Sequence, residues 1–259
     1  MRKLLFVCIF CFLFISVRAQ LFCPTPYGKF NGDVKRYHIT AGYGFTALYG
    51  DIDAEERYGN SGFIKFDYQI IKGIYVGVEG QTGILKNRGA LGDRRFVNNK
   101  YNAFGFVMTT HIFDLLLNDK NYSNNSFGEN LLDGIYVGVG ILGLRNNYKS
   151  IFRDEYDYKT NGPIERDNQG NFLYDSNGKI IFKEKLNSIT LPTLNFGVAI
   201  PLIDNLRKDN YFSIVLNSQF NFNNNDELDG YIPYSADAKK VIGNKDFYNF
   251  YSAGLRYSF

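Results

Sequence analysis

A two-residue alternation recurs along most of this chain and constrains its fold more than any other feature. Successive side chains of a β-strand point to opposite faces, so apolar residues at every second position read as a strand with one face in an apolar medium. From 36 to 50 the odd positions are Tyr37, Ile39, Ala41, Tyr43, Phe45, Ala47 and Tyr49. The even positions are His38, Thr40, Gly42, Gly44 and Thr46, with Leu48 as an exception. Between 61 and 71, Gly62, Ile64, Phe66, Tyr68 and Ile70 face away from Ser61, Lys65, Asp67 and Gln69, and Phe63 is the exception. Six further segments repeat the pattern: from Ile74, from Tyr101 to Phe113, from Ile135, from Ser188 to Ile200, from Tyr211 to Phe222, and from Phe247 to Phe259.

Eight alternating segments of about ten residues suit strands that cross a bilayer at a tilt. Every backbone group in lipid must be paired, so such strands close into a barrel, and an even number leaves both ends on one side. The fold class expected is all-β: an eight-stranded antiparallel up-and-down transmembrane β-barrel. Composition agrees, with 17% aromatic residues, 20 Tyr, 24 Phe and 26 Gly. A soluble barrel of the lipocalin kind would turn its aromatics inward. Here the second face is crowded with Gly and small polar residues, which suit a narrow lumen.

Connections follow the same logic. Outer loops are expected at 51–60, 86–100, 146–187 and 223–246, and periplasmic turns at 71–73, 114–134 and 201–210. The long 146–187 loop holds a repeat. Asp167-Asn-Gln-Gly170-Asn-Phe172-Leu-Tyr174 is followed by Asp175-Ser-Asn-Gly178-Lys-Ile180-Ile-Phe182. Asn177-Gly178 is a two-residue hairpin signal. A projecting β-hairpin is expected, with Phe172 and Tyr174 facing Ile180 and Phe182.

The N-terminus reads as a signal peptide. Arg2 and Lys3 precede an apolar run from Leu4 to Val17, and Val17-Arg18-Ala19 offers a cleavage site before Gln20. The run is too short to span a bilayer as a helix. The chain is thereby divided into a signal peptide at 1–19, an N-terminal periplasmic segment at 20–35 and the barrel at 36–259. The formal charge of +3 resides in Arg2, Lys3 and Arg18, so it vanishes on cleavage. A nucleic-acid partner is therefore not expected. Cys8 and Cys11 leave with the signal, and Cys23 alone cannot form an internal disulfide. Lipidation of Cys23 would need a small residue before it, where Phe22 stands.

The last residues, Ser252-Ala-Gly254-Leu-Arg-Tyr257-Ser-Phe259, read polar-x-Gly-x-x-aromatic-x-aromatic. Gly254, Tyr257 and Phe259 look like the signal recognised by the outer-membrane insertion machinery, which captures an exposed strand edge. With this ending, the Ala19-Gln20 junction and the Tyr/Asn-rich loops, the mature chain resembles the small OmpA- or OmpX-like outer-membrane barrels, particularly those of the Bacteroidota. The resemblance implies a location in the outer membrane among its lipid. The peptidoglycan-binding domain of OmpA is not expected, since the chain stops at the barrel.

The inward face carries Lys65, Asp67, Glu79, Gln81, His38, His111 and Arg256. Charges taken out of water must be paired, so a mutually paired polar cluster filling the lumen is expected. No catalytic site is expected: His38-Ile-Thr40 and His111-Ile-Phe113 lack the Ser or Asp partners that a catalytic histidine needs within hydrogen-bond reach. Asp175-Ser-Asn177-Gly178 begins like a calcium loop, but Lys179, Ile180 and Leu186 stand where an oxygen ligand, Gly and Glu are required. Neither a metal nor a cofactor is expected. The function expected is a non-enzymatic structural or interaction role, with an envelope protein partner met through the 146–187 and 223–246 loops. A narrow channel for small solutes is the alternative.

Overall fold

The computed structural model describes residues 36–52, 54–91, 93–116, 131–152, 163–202, 212–226, 228–231 and 245–259. The expected signal peptide at 1–19, the segment 20–35 with Cys23, and most of the expected turns at 114–134 and 201–210 lie outside them.

Among the described residues nine strands share one sheet: β1 (Tyr37–Tyr49), β2 (Ala54–Glu56), β3 (Tyr58–Ile71), β4 (Ile74–Gly89), β5 (Phe96–His111), β6 (Ile135–Ile151), β7 (Lys185–Pro201), β8 (Phe212–Asn223) and β9 (Phe247–Ser258). β2 only extends the pairing of β4, at Arg88 and Gly89. The other eight pair antiparallel in the order β1-β3-β4-β5-β6-β7-β8-β9. β9 then returns to β1 from His38↔Ser258 to Tyr49↔Phe247. The sheet is therefore a closed eight-stranded barrel with no open edge. One end carries Tyr37 and Phe259 and is called the terminus end below; the other carries the long connections and is called the loop end.

Alternation sorts the side chains as the sequence predicts. Ile39, Ile64, Phe104, Phe106, Val139, Phe196 and Leu255 all point outward and exposed. Aromatics gather at both rims of this apolar surface. At the terminus end Phe259 stacks on Tyr37 and Tyr257 at 5.8 and 5.7 Å. At the loop end Phe45 meets Tyr251 at 5.2 Å, and Phe247 meets Tyr49 at 4.6 Å. An apolar band between two aromatic girdles is the surface a lipid bilayer selects. The two exceptions to alternation have a structural reason. Leu48 and Phe63 point inward and pack into an apolar layer inside the barrel.

Several boundaries differ from expectation. The strands run further at the loop end, so β4 and β5 leave only 90–95 between them and β6 and β7 leave 152–184. The fourth segment ends at His111, whose N–H donates to Gly73 O at 2.7 Å. Ile112 and Phe113 turn instead into the short helix α1 (Ile112–Leu116). Near 190–193 the β6–β7 and β7–β8 registers shift. Inward positions consequently change from Ser188 and Thr190 to Thr193 and Asn195, as a bulge requires. The turn at 71–74 is tight, and Gly73 adopts φ +74, a conformation that costs a residue with a Cβ.

Candidate functional site

The lumen is filled in three layers. At the terminus end, β1, β4, β5 and β6 contribute His38, Tyr75, His111 and Tyr136, with successive ring centroids 5.1, 5.0 and 5.4 Å apart. His38 Nδ1 lies 2.7 Å from Ser258 Oγ. His111 Nδ1 lies 3.1 Å from Asp133 O. A carbonyl only accepts, so Nδ1 of His111 carries the hydrogen and Nε2 the lone pair. Both Nε2 atoms are buried without a protein partner. Beside them Lys65 and Asp67 form an ion pair at 3.1 Å. Arg256 Nε donates to Thr40 Oγ1 at 3.3 Å. Room for these long side chains comes from glycine: a Cβ on Gly197 would strike the Tyr136 hydroxyl, and one on Gly77 the Asp67 carboxylate.

The middle layer is an amide network that crosses the barrel. Gln81 on β4 donates from Nε2 to Glu79 Oε1 and to Gln219 Oε1, each at 2.6 Å. Gln219 on β8 donates to Glu79 Oε1 at 3.1 Å and to Asn195 Oδ1 at 2.9 Å. In the ring order β4 and β8 are diametrically opposite. Side chains from opposite walls thus meet in the lumen at this depth. Tyr101 and Tyr248 donate to Gln81 Oε1 at 3.2 and 3.3 Å.

Above this belt the lumen turns apolar. Tyr101 on β5 and Tyr248 on β9, another opposite pair, meet at 5.5 Å. Leu48, Leu85, Val97, Leu142 and Phe250 complete a fully buried cluster with Leu228 and Tyr231. Those last two residues belong to the β8–β9 connection. Starting from β8, that connection crosses the mouth to β5 and β6: Asn99 Nδ2 donates to Leu228 O at 3.1 Å, and the Tyr231 hydroxyl reaches Phe96 O at 3.2 Å and also Phe152 O. Gly230 makes the reversal with φ +78, and a Cβ there would fall 2.6 Å from Ile151 Cδ1. The described part of this loop is therefore a plug seated in the loop-end mouth.

Two carboxylates tie the plug down. Asp229 accepts from Asp51 N at 2.7 Å and from Tyr231 N at 2.9 Å. Asp246 Oδ2 accepts from Leu228 N at 2.6 Å and from Asp229 N at 3.1 Å. Burial, and then the neighbouring Asp51 charge, push Asp229 up to about 7. Burial, and then the Asp229 charge, hold Asp246 well above the usual carboxylate range. On the rim Asp93 and Arg95 form a bidentate pair at 2.7 and 3.0 Å, and that hydrogen-bonded partner keeps Asp93 below the usual range.

Each lumen residue singled out from the sequence is buried inside: Lys65, Asp67, Glu79, Gln81, His111 and Arg256, together with His38. They do not all form one cluster. Lys65 pairs with Asp67, Glu79 and Gln81 belong to the amide belt, and His111 sits in the ring of histidines and tyrosines. Of the insertion-signal residues, Tyr257 and Phe259 lie on the outer surface, and Gly254 stands opposite Gly42 at the β1–β9 seam. Among the described residues no three His, Cys, Asp or Glu side chains are gathered to hold a metal ion. Sequence reading missed the plug and its carboxylates. Leu228, alone among polar residues and followed by Asp229-Gly230, was the available signal.

The repeat in the β6–β7 loop is also richer than a hairpin. Glu165 N donates to Ile181 O at 2.8 Å, Ile181 N to Leu173 O at 3.0 Å, and Leu173 N to Glu165 O at 3.0 Å. Three segments eight residues apart thus pair in a cycle around Ile164, Phe172, Ile180 and Phe182. Tyr174 lies opposite Ile180 as expected, but Phe172 pairs with Arg166 and Phe182 with Ile164. A third segment, too unlike the other two to be recognised in sequence, takes the place of the Phe172–Phe182 pair.

No family model matches the chain. A comparison with curated proteins also finds no match. Among solved structures it is similar to Neisserial surface protein A, with 13% identity, 86% of this chain and 97% of that chain covered, and a TM-score of 0.40. It is also similar to the outer membrane protein OprG from Pseudomonas aeruginosa (9% identity, 87% and 97% covered, TM-score 0.40). A third similar structure is Ail, the attachment invasion locus protein of Yersinia pestis, solved with the heparin analogue sucrose octasulfate (11% identity, 86% and 100% covered, TM-score 0.38). The barrel assignment rests on the strand pairing described above and not on these likenesses.

Proposed function

We propose that this chain is a small OmpA/OmpX-like barrel of the outer membrane, exported by a cleaved signal peptide, with a non-enzymatic structural or interaction role. The apolar band between aromatic girdles supports the membrane setting. The Ala19-Gln20 junction and Tyr/Asn-rich loops support the Bacteroidota subtype. Tyr257 and Phe259 on the outer surface of the last strand suit engagement by the insertion machinery.

The observation that carries the functional reading is the Gln81–Gln219 contact between opposite walls. With the tyrosine layer and the plug above it, this contact disfavours solute flux. It leaves the loop end, with the three-segment module at 163–183, as the surface available to a protein partner. Affinity purification from native membranes with mass spectrometry tests the reading. A stoichiometric envelope partner that is lost when 163–184 is deleted is the expected result. A stable, large conductance of the purified barrel in planar bilayers would overturn it in favour of a channel.

A further inference from the structure

The plug at the loop end is held by a feature that a static seal does not need. Asp229 and Asp246 are both almost completely buried, and both belong to the connection that crosses the mouth. Asp229 Oδ2 and Asp246 Oδ1 flank the same point. A Cβ placed on Gly50 would meet both, at 2.7 Å for Asp246 Oδ1. Only a glycine lets the β1–β2 turn approach the pair this closely.

Four backbone N–H groups serve the two carboxylates, and each bond fastens the plug. Asp51 N ties it to the β1–β2 turn, Tyr231 N closes its reversal, and Leu228 N and Asp229 N anchor it to the start of β9. Asp246 Oδ1 alone is left without a donor, and it is buried beside a second carboxylate. Two adjacent buried carboxylates cannot both ionise without a large cost, so one proton is retained. Asp246 Oδ1 is the vacant place for it.

We propose that Asp229 and Asp246 form a proton-held latch, which keeps residues 228–231 docked in the loop-end mouth and loosens them when the pair loses its proton. The proposal goes beyond the interaction role above and does not depend on it.

The surrounding charges favour this assignment. Asp51 faces the pair from the β1–β2 turn and Asp226 from the plug itself, and both raise the cost of ionising it. Among the described residues Arg95, on the β4–β5 turn, is a cation that faces the plug. Its guanidinium lies 5.8 Å from the Tyr231 ring and is already bidentate to Asp93. Lys245, beside Asp246, is exposed.

The direction of the pH effect follows from the docked state holding its proton more tightly than the released one. Docking is fully stabilised below the ordinary carboxylate range. It weakens as the pH climbs through the raised range of the pair, in which Asp229 stands at about 7. Acid closes the latch, and mild alkali loosens it.

The test uses the purified mature barrel in lipid, with Cys23 replaced by Ser and, as reporter, the nearly isosteric Val97→Cys in the buried cluster that Leu228 and Tyr231 complete. The rate of labelling by a bulky maleimide is divided by the rate at Ser176→Cys on an exposed turn, which removes the intrinsic thiol chemistry. The normalised rate is expected to rise on the order of tenfold between about pH 5.5 and about pH 8.5. Adding Asp246→Asn should keep the rate low across the range, because an amide carries hydrogens without a charge. A rate independent of pH overturns the proposal. So does an unchanged pH dependence in Asp246→Asn. Millimolar calcium that suppresses labelling at the alkaline end as fully as acid does would also overturn it, since a cation would then hold the latch. Should Asp246→Asn fail to fold, Asp51→Asn replaces it: this removes a charge that raises Asp229, so the rise in labelling should move to lower pH, and an unmoved rise overturns the proposal.

Discussion

The two halves of the lumen solve the same problem in opposite ways. At the terminus end, Lys65, Asp67, Arg256 and two histidines fill the barrel, and both His Nε2 atoms lack a protein partner. At the loop end, tyrosines, aliphatic residues, Phe250 and the described part of a loop fill it, and the polar groups there are neutral asparagines and carboxylates clamped by backbone N–H groups. A buried charge gains stability only from partners set at fixed distances, whereas apolar packing gains it in proportion to area. The terminus-end half should therefore be brittle towards single substitutions. The loop-end half should fail locally, by releasing its plug.

The largest effect tests brittleness. Lys65→Ala leaves Asp67 buried and unpaired, and should cost the barrel roughly 3–5 kcal/mol. The double variant Lys65→Ala/Asp67→Asn should recover much of that loss. Urea unfolding in lipid vesicles measures both, and a double variant no better than the single one would remove the contrast. Next comes Leu228→Ala, which should cost plug docking about 3 kcal/mol through lost burial and a cavity. The barrel midpoint should stay nearly fixed while amide exchange around 228–231 accelerates. Equal losses in plug and barrel would show that the two halves are not separable. Gln219→Leu removes the bridge to Gln81 and takes away the acceptor of Asn221 Nδ2, for roughly 1–3 kcal/mol. The smallest effect is Gly230→Ala, where the positive φ should cost about 1–2 kcal/mol, confined to the plug.

How much was legible follows the same division. Inward and outward residues were readable wherever a strand runs unbroken, because a pleated strand commits its side chains by parity; the bulge near 190–193 of β7 was not. Lys65, Glu79 and Arg256 could be placed inside for that reason. Their partners could not. Gln219 lies 138 residues from Gln81 and meets it only because β4 and β8 stand opposite in a closed ring. Leu48 and Phe63 looked like flaws in the alternation and are in fact the inward packing of the loop-end layer.

The repeat at 167–182 shows the limit from the other side. Its Asp and Gly residues announced two turns, and both form, with Gly170 and Gly178 at positive φ. The segment around Ile164 that completes the cycle carries no turn signal of its own, so its pairing is invisible until the chain is folded. The plug is the same case on a larger scale. Asp229, Asp246 and Leu228 are ordinary loop residues until a mouth closes around them, and burial is what gives the two acids their properties.

By itself, then, the sequence determined an all-β chain of eight alternating strands and, along each unbroken stretch, the face a residue takes, since alternation is local. Only the tertiary structure decided that opposite walls touch, that a loop returns to seal one mouth, and that two aspartates meet there. Those are contacts across a closed ring, and no local rule of a strand contains them.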